Sequence, residues 1–591
     1  MKNIKKIASL MIAVFMVFSM IAMVGAADTT YTLFVKNDAP NHTYDAYQIF
    51  SGKLSADGTT LSSIEWGASI ADPEALLNAL ITDTKEIKLA NSSTTLSAVF
   101  AKMTTAEVSA LPIEEKASVL ANEIANNIHG NDSAILDRFA EIVGEATYTA
   151  DGEFIAHTYL GTATASANTQ SQQDGATGYA INDLPAGYYL IKDRDGEVTN
   201  EGDFYSKYMI NVVKSSTITV KGEGVKVTKS VNDTLDGTYT EYEDAYINQE
   251  LFYKWEGTLP NNLLSYDTYN YKFVDTMAPG LTFVEYEKIY IENNNGTVAY
   301  SIYDVETDDA LPAGVVATDP ATDAEGNITF SLEIEDLLAT YPSILPSQKV
   351  IVKYTCYLNR NALIADANTN EVKIEYDNNP NGEGTGVTVP DYAHAYTFKV
   401  DVDKYDAADA NIKLEGVEFI LYYRDTVGDT TTYHYAQVIT EEMVEAGTEI
   451  NGKVVTDADV GVVYGYTEDR EDASILDTDE NGAIYLKGLD AGIYYLEETK
   501  EPDGYNKLDT PVQVEIKPEY SEVDGSLTTV KYEVDNTDQG NLSTVSVANS
   551  KGNILPSTGG IGTTIFYIAG AILALGAGLV LITKKRLANE K

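Results

Sequence analysis

Residues 482–498 read GAIYLKGLDAGIYYLEE. Apolar and polar residues alternate on both sides of the turn Leu489-Asp490-Ala491-Gly492, a pattern typical of half-buried β-strands joined by a tight turn. Residues 178–193, GYAINDLPAGYYLIKD, repeat the same order of a glycine, an alternating strand, a Leu-x-Ala-Gly turn and a tyrosine-rich strand. The repeat predicts two related β domains on either side of a middle region.

The composition also favours a mainly β protein. Tyr occurs 41 times against 15 Phe and 2 Trp, and tyrosine is enriched in strands. The 591 residues exceed what one hydrophobic core holds, so about three or four domains are expected. Lys and Arg number 40 against 90 Asp and Glu, and the net charge of -50 opposes binding to a phosphate backbone. We therefore exclude nucleic acid as a partner.

The amino-terminal segment has the pattern of a secretory signal. Lys2, Lys5 and Lys6 precede an apolar stretch at 7–24, and small residues follow at 25–27. An uncleaved membrane anchor is the alternative, because the apolar stretch is longer than a typical signal core. Both interpretations export the body of the protein.

The carboxyl end has the pattern of a membrane anchor. Residues 563–583 carry no charge, and a helix of that length rises roughly 30 Å, enough to span a bilayer. The basic residues at 584–586 follow directly, and positive charge stays on the cytoplasmic side. The body is therefore expected outside the cell.

The motif before this apolar segment is Leu555, Pro556, Ser557, Thr558 and Gly559. Followed by a spanning helix and a basic tail, it resembles the cell-wall sorting signal of Gram-positive surface proteins. The resemblance implies that a sortase cleaves between Thr558 and Gly559 and passes the Thr558 carbonyl to an amine. The alternative interpretation is a polar juxtamembrane linker with a proline turn.

Composition shifts divide the rest of the chain. The region from Asp72 to about Ala146 is rich in Ala, Leu and Glu and begins with a cap and a first-turn proline, so we expect helices inserted into a β domain. The predicted division is a signal peptide at 1–27, an N-terminal β domain with the helical insertion at 28–221, a middle domain at 222–390, a third domain at 391–552, and the sorting signal, transmembrane helix and basic tail at 553–591.

Residues 494–505, YYLEETKEPDGY, resemble the E-box of Gram-positive pilins and collagen-adhesin B-type domains, with Glu501 where the family usually has alanine. The resemblance implies tandem immunoglobulin-like β-sandwich domains of the collagen-adhesin A and B types. It also implies an isopeptide bond in the third domain. By the family's pattern this bond joins Lys404 to Asn549, with Glu498 as the proton relay.

The chemistry of such a bond explains the residue types. A lysine amine attacks an asparagine carbonyl only when it is neutral, and burial lowers the pKa of a lysine while raising that of a carboxyl. A protonated Glu498 would hydrogen-bond the amide oxygen and relay protons as ammonia leaves. The alternative is that Lys404 extends along a strand edge to solvent, pairs with Glu498, and that Asn549 begins a linker.

The middle domain contains a parallel set of residues. Lys229 lies on an opening strand, Asp275 precedes a Pro-Gly turn, and Asn370 lies near the end of the domain. These residues resemble the collagen-adhesin A-type pilin domain, which implies a bond between Lys229 and Asn370 with Asp275 as the relay. The alternative for Asp275 is an ordinary turn-entry residue.

The N-terminal domain departs from this pattern. Aligned on Tyr-Tyr-Leu, Lys192 takes the place of Glu498, and Asp193 is adjacent to it. Because the relay acid is absent in this alignment, we predict no isopeptide bond in the first domain.

Other chemistries find no support in the sequence. The single cysteine, Cys356, forms no internal disulfide, and the segment 477–482 matches half a calcium loop but has Gly488 where the bidentate glutamate belongs. The histidines lack ligand spacing: His42, His129, His157, His394 and His434. We expect no metal, no cofactor and no turnover enzyme.

Two functions remain for such a chain. It is either a major (shaft) pilin that a sortase polymerises, or a monomeric wall-anchored adhesin or basal pilin. Shaft pilins of this family carry a reactive lysine at the junction of the first two domains, which implies Lys221 here, with Lys214 as the alternative. The expected partners are a sortase, other copies of the chain, ancillary pilins, peptidoglycan and ligands on a host surface.

Overall fold

The computed structural model describes residues 29–89, 92–128, 133–144, 147–148, 154–155, 159–194, 196–220, 224–308, 310–380, 384–552 and 561–588. The predicted signal peptide at 1–27, the motif at 555–559 and Lys221 lie outside the described residues. Within the described part the chain is mainly β, as the sequence predicts.

The first region is a sandwich of two sheets. One sheet has the strand order Ser216–Thr219, Tyr31–Lys36, Ala176–Leu184, Ser171–Gln173. The other has the order Lys207–Val212, Gly187–Asp193, Tyr44–Leu54, Leu61–Trp66, and the short strand Thr164–Ala165 also pairs with Tyr44–Leu54. Alternate side chains from the two sheets, among them Val35, Ile181 and Ile191, form a core from which water is excluded.

The helical insertion covers the outer face of the second sheet. Its first helix, Pro73–Thr82, begins as the sequence predicts, because the Asp72 side chain accepts a hydrogen bond from the backbone N–H of Ala75. The remaining helices are Leu96–Val99, Ala106–Ser109, Ile113–Asn127 and Ser133–Val143, with a 3₁₀ turn at Ala101–Thr104. Their apolar faces and Leu190 of the sheet form a second core. Two-stranded pairs complete the region: Ile87–Leu89 with Ser92–Thr94, and Thr147–Tyr148 with Phe154–Ile155.

The middle region is a second sandwich. Its five-stranded sheet has the order Lys226–Asn232, Glu250–Thr258, Lys349–Leu358, Leu281–Glu292, Val298–Asp304. The facing sheet has the order Tyr242–Asp244, Asp391–Tyr396, Asn368–Asp377, Tyr271–Met277, Ile328–Ile334, Val315–Ala317, with Ala321–Thr322 and Thr385–Val387 on its edges. A 3₁₀ turn at Leu263–Ser265 and a helix at Leu337–Thr340 lie in the connections.

The third region has two further sheets. The smaller contains Asp409–Lys413, Phe398–Asp406, Ala483–Leu489 and, parallel to Phe398–Asp406, the last strand Thr544–Asn549. The larger contains Val463–Thr467, Thr430–Val438, Glu418–Val427, Gly492–Lys500, Val512–Tyr520, Leu527–Val534 and Thr537–Asp538, with Leu476–Asp477 beside Glu418–Val427. Minor elements are a helix at Glu441–Glu445, a hairpin of Glu449–Ile450 and Lys453–Val454, and 3₁₀ turns at Asp457–Asp459 and Arg470–Asp472.

The chain divides into two compact units. The first contains residues 1–397 and 520–528, and the second contains residues 398–519 and 529–591. The strand Asp391–Tyr396 pairs with Asn368–Asp377 in the middle sheet, and the second unit begins at Phe398. A helix follows at Ile561–Ala588, and its segment Ile565–Ile582 has a mean hydropathy of 2.5, sufficient by length and composition to cross a membrane.

Candidate functional site

The third-region site is formed by polar residues at inward strand positions. In Phe398–Asp406 the buried residues alternate, so Lys404 follows Val400 and Val402 on the inner face. Asn549 is in the same phase as Val545 and Val547 on the parallel last strand. Glu498 likewise occupies an inward position of Gly492–Lys500. The period of two therefore brings the three predicted residues into one core.

Direct contacts join these three side chains. Lys404 Nζ donates a hydrogen bond to Asn549 Oδ1, and Asn549 Nδ2 donates to Glu498 Oε1 at 2.6 Å. Lys404 Nζ lies 3.6 Å from the same carboxylate oxygen, and all three residues are at most 1% exposed. The sequence interpretation placed the amide oxygen next to Glu498, whereas the structure places the amide nitrogen, the leaving group of an aminolysis, next to it.

The surroundings of Lys404 favour its neutral form. Burial lowers the pKa of Lys404 to about 8, although the nearby Glu498 carboxylate opposes this change. The amine lies 5.3 Å from the centre of the Phe419 ring. The second oxygen of Glu498 accepts a hydrogen bond from the backbone N–H of Leu508 at 2.7 Å, which fixes the carboxylate in place. The strand-edge alternative for Lys404 is therefore wrong, because the amine is buried.

The middle-region site is built in the same way. Lys229 shares the inner face of Lys226–Asn232 with Val227 and Val231, and Asn370 occupies an inward position of Asn368–Asp377. Asp275 lies inside the strand Tyr271–Met277 and is fully buried, so the turn-entry alternative is wrong. All three predicted residues thus point into the core between the two sheets.

A tyrosine hydroxyl connects the residues of this second site. Lys229 Nζ donates to Asp275 Oδ2 and, at 2.8 Å, to Tyr354 Oη. Tyr354 Oη donates to Asp275 Oδ2 at 2.9 Å and accepts a hydrogen bond from Asn370 Nδ2 at 2.9 Å. Trp255 Nε1 also donates to Asp275 Oδ2, at 2.7 Å.

Electrostatics in the middle site favour the neutral forms of both titratable partners. Burial lowers the pKa of Lys229 and raises the pKa of Asp275, in each case against the effect of the other group. Two buried oxygens, Asp275 Oδ1 and Asn370 Oδ1, have no hydrogen-bond partner within the described part of the chain.

Sequence reasoning missed Tyr354 and Trp255. Both occupy inward positions of strands, where an aromatic residue is ordinarily part of the hydrophobic core. Only their polar atoms, the phenol oxygen and the indole N–H, distinguish them from such core residues, and the spacing of a sequence does not reveal where those atoms point.

The first region holds a different buried cluster. His42 Nδ1 lies 2.7 Å from Asp193 Oδ1, and His42 Nε2 lies 3.3 Å from Asp203 Oδ2. Burial lowers the pKa of His42, but the two carboxylates outweigh burial and raise it to about 9. Asp193 Oδ2 accepts hydrogen bonds from the backbone N–H and the hydroxyl of Ser206, both at 2.7 Å.

The structure corrects the alignment of Lys192 with Glu498. Tyr189 Oη donates to the carbonyl of Pro185 at 2.9 Å, and Tyr494 Oη donates to the carbonyl of Asp490 at 3.0 Å. These equivalent contacts match the two segments on the Ala-Gly turn, so Asp193 is the counterpart of Glu498.

The same register identifies the residue of the first domain that corresponds to Lys404. Val35 opposite Tyr179 corresponds to Val402 opposite Ile484. Asn37 therefore stands where the third region has Lys404, and its Nδ2 donates to Tyr44 Oη at 2.9 Å. The absence of an isopeptide bond in the first domain stays a prediction, now based on the missing lysine rather than on a missing acid.

The residues expected to join one subunit to another are described only in part. Lys214 is exposed, next to the strand Ser216–Thr219. Lys221, Thr558 and Gly559 lie outside the described residues.

Models of known protein families match two parts of the chain. Residues 398–533 match the SpaA family, described as a prealbumin-like fold domain, and residues 548–586 match the LPXTG cell wall anchor motif. Both matches agree with the resemblance to Gram-positive surface pilins. No curated protein sequence matches the chain significantly.

Several solved structures are similar to the chain. A backbone pilin of Streptococcus pyogenes is 14% identical, with 89% of this chain and 100% of that chain covered and a TM-score of 0.44. The full-length major pilin SpaD of Corynebacterium diphtheriae is 13% identical, with 89% and 98% covered and a TM-score of 0.42. The full-length major pilin RrgB of Streptococcus pneumoniae is 14% identical, with 69% and 92% covered and a TM-score of 0.37.

The anchor match and the apolar helix at Ile565–Ile582 agree on where the protein resides. The motif match covers the predicted sorting signal, and the helix follows it directly. With its prealbumin-like domain and LPXTG anchor, the chain is a cell-wall-anchored surface protein.

Proposed function

We propose that this protein is the repeating structural subunit of a pilus whose subunits are joined covalently. A sortase cleaves between Thr558 and Gly559 and transfers the Thr558 carbonyl to Lys221 of another copy, with Lys214 as the alternative acceptor. Two internal isopeptide bonds, one per domain, reinforce the middle and third domains. A sortase, ancillary pilins and peptidoglycan are the partners that follow from this function.

The observation that supports the proposal best is the repetition of one buried set. A lysine, an asparagine and a carboxylic acid meet in the cores of two separate sandwiches, each on inward strand positions. Burying a charged lysine in a core is costly, and apolar residues would fill these positions more favourably. A chemical role of these residues explains why they are present in both cores despite this cost.

The bond in the third domain forms by aminolysis. A proton passes from Lys404 Nζ to Glu498, and the neutral amine attacks Cγ of Asn549. The new N–C bond leaves one proton too many on Nζ, and Glu498 takes this proton as it gives its own to Nδ2. The bond between Cγ and Nδ2 breaks, ammonia leaves, and one amide has replaced another. The 2.6 Å contact between Glu498 and Nδ2 is the contact that this last proton transfer needs.

Intact-mass measurement with peptide mapping tests the internal bonds. Each bond removes one ammonia, so the wild-type chain should weigh about 34 Da less than its sequence mass after signal removal, about 17 Da per aminolysis. Glu498→Ala should restore about 17 Da and remove only the peptide pair of Lys404 and Asn549. Glu497→Ala is the matched control, since Glu497 lies on the same strand but pairs with Arg470. A wild-type chain at its full sequence mass would contradict both bonds.

Polymerisation is tested in the wall of the producing cell. An antibody to the protein should reveal a ladder of high-mass species in wall extracts, and the double variant of Lys221→Ala with Lys214→Ala should reduce it to a single band. A ladder that persists in the double variant would contradict the acceptor assignment. A single band in the wild type would contradict the pilus and favour the monomeric wall-anchored adhesin.

A further inference from the structure

Tyr354 lies at the centre of the middle-domain site. Its hydroxyl accepts hydrogen bonds from Lys229 Nζ at 2.8 Å and Asn370 Nδ2 at 2.9 Å and donates one to Asp275 at 2.9 Å. A hydroxyl has one proton to donate and two lone pairs that accept. These three contacts therefore use its full capacity, and they connect it to both nitrogens that exchange places in the proposed reaction.

The two isopeptide sites differ in how the acid reaches the leaving nitrogen. In the third domain Glu498 contacts Asn549 Nδ2 directly, at 2.6 Å. In the middle domain Asp275 contacts the attacking amine, and the leaving nitrogen of Asn370 contacts Tyr354 instead. The tyrosine hydroxyl thus occupies the place that the carboxylate itself occupies in the third domain.

We propose that Tyr354 is a catalytic residue of the middle-domain bond, transferring the proton from the attacking nitrogen of Lys229 to the leaving nitrogen of Asn370. This role rests on the proposed function, because it requires that the bond forms. In the third domain Glu498 carries out both proton transfers. In the middle domain Asp275 accepts the first proton and Tyr354 transfers the second.

The steps balance without any further reactant. Lys229 Nζ first gives a proton to Asp275 Oδ2, which makes that oxygen a weaker acceptor for the Tyr354 hydroxyl proton. The neutral amine attacks Cγ of Asn370, and Nδ2 becomes an amine with a free lone pair. Nζ then passes one proton to Tyr354 Oη while Oη passes its own proton to Nδ2. The bond between Cγ and Nδ2 breaks, ammonia leaves, and the phenol is restored.

The surroundings suit a neutral phenol in this role. Burial raises the pKa of Tyr354 well above its ordinary value, so the hydroxyl keeps its proton until a partner takes it. The ring packs against Trp255 at 4.9 Å and Phe283 at 5.8 Å, measured between ring centres. This packing restrains the oxygen that contacts the two nitrogens, and a proton relay needs such a restrained position.

The same site supplies a matched control in Tyr253. Its ring stacks on Tyr354 with centres 5.6 Å apart and lies 5.3 Å from Lys229 Nζ. Its hydroxyl is buried and has no hydrogen-bond partner among the described residues. Tyr253→Phe therefore removes a hydroxyl from the same core without touching either reacting nitrogen.

The experiment follows formation of the bond in the full chain. Newly synthesised protein is pulse-labelled, trapped in denaturant at successive times, and mapped for the linked peptides of Lys229 and Asn370. General acid–base catalysis contributes typically 10²- to 10⁴-fold, so Tyr354→Phe should slow the linkage by about 100-fold or more. Tyr253→Phe should proceed at the wild-type rate, and Asp275→Ala defines the unlinked reference.

The possible outcomes separate the inference from the function on which it rests. A Tyr354→Phe chain that links within threefold of the wild-type rate overturns the role of Tyr354 and leaves the bond intact. A wild-type chain that never links overturns the proposed function instead.

A second variant covers the case in which Tyr354→Phe fails to fold, as judged by hydrogen-exchange protection of the strand Lys349–Leu358. Difluorotyrosine at position 354 keeps the shape of the ring and lowers the pKa of the phenol. It should change the rate of linkage and its pH profile, and an unchanged rate and profile would contradict proton transfer by Tyr354.

Discussion

In each core a lysine lies on the inner face of its strand, next to valines on the same face. Lys404 follows Val402 on one inner face, and Lys229 lies between Val227 and Val231 on the other. A buried ion pair is seldom more stable than an apolar pair of the same volume, because desolvation opposes the attraction. The proposed reaction removes this cost, since the product is a neutral amide beside a neutral acid.

Loss of one partner before the reaction should therefore destabilise each core. In Glu498→Ala, Lys404 loses the nearby carboxylate and remains unlinked, and breaking a buried pair in this way costs about 3–5 kcal/mol.

We expect His42 to make the stability of the first domain depend on pH. Its pKa is raised to about 9 in the folded chain from an ordinary value of 6.5. A group whose pKa is raised on folding stabilises fully below its unfolded pKa, and this stabilisation is lost as the pH rises through the folded pKa. We predict that the domain loses up to about 3 kcal/mol between pH 6.5 and 9, since one pKa unit is about 1.4 kcal/mol.

Hydrogen exchange of the strands Gly187–Asp193 and Tyr44–Leu54, corrected for the intrinsic rate at each pH, measures this change locally. Asp203→Asn is the informative variant, because it removes the more exposed of the two carboxylates beside His42 and should move the loss to lower pH. Equal protection of the wild-type strands at pH 6.5 and pH 9 would contradict the prediction.

Pairing between strands explains how the third-domain lysine is placed. The backbone N–H of Lys404 donates to the carbonyl of Gly482 at 2.8 Å. Gly482 has a φ of +71°, and a Cβ there would lie 2.3 Å from the carbonyl oxygen of Lys404. Only glycine fits this approach, so Gly482 helps to set the position of the strand that carries Lys404.

Gly482→Ala should therefore disturb the site through the backbone. The left-handed conformation alone costs about 1–2 kcal/mol for alanine, and the contact with Lys404 adds to it by displacing the strand. Linkage of Lys404 to Asn549 should become at least tenfold slower in the pulse-labelling assay. Gly540→Ala is the control, because Gly540 has a φ of +63° but open space around it. Equal linkage rates in the two variants would show that the strand position does not matter.

The sequence predicted most of the elements and only part of the sites. The β sandwiches, the capped helix at Pro73–Thr82 and the apolar terminal helix follow from local patterns that the tertiary structure does not override. The turn-entry alternative for Asp275 arose because the place of Asp275 within a strand depends on pairing with distant segments.

Lys192 and Asp193 show why a small error in alignment matters. A shift of one residue moves a side chain to the opposite face of a sheet. The tyrosine pairs of the two repeats lie at different distances from their Ala-Gly turns. Alignment on the tyrosines therefore matched Glu498 with Lys192, which lies on the opposite face of the sheet from Asp193. Asp193 faces the sandwich core with Ile191, whereas Lys192 lies over the Tyr47 ring on the helical side.

At the scale of the whole molecule, the two proposed links should limit extension under force. Lys404 and Asn549 are 145 residues apart, and the middle link spans a similar length. In the chain-entropy model, a cross-link that closes a loop of this size stabilises the folded state by about 5 kcal/mol. The effect of the links on extension under force should be larger than this effect on stability. Each link should withhold roughly 480 Å of contour length, at about 3.3 Å per residue.

Single-molecule stretching of the wild-type chain and of two variants checks this. Asp275→Ala and Glu498→Ala should each release one additional length of roughly 480 Å, and the double variant should release both. Release of the full contour length by the wild-type chain would contradict the links.

The place of Asn549 on the final strand also orders events in time. A chain exported from its amino end presents Asn370 outside the cell well before Asn549, so the middle link can close while the third domain is still incomplete. The third link must wait until the strand Thr544–Asn549 has emerged and paired beside Phe398–Asp406. The proposed bond at Asn549 is therefore the later of the two, and it can close only after the whole third region has been exported.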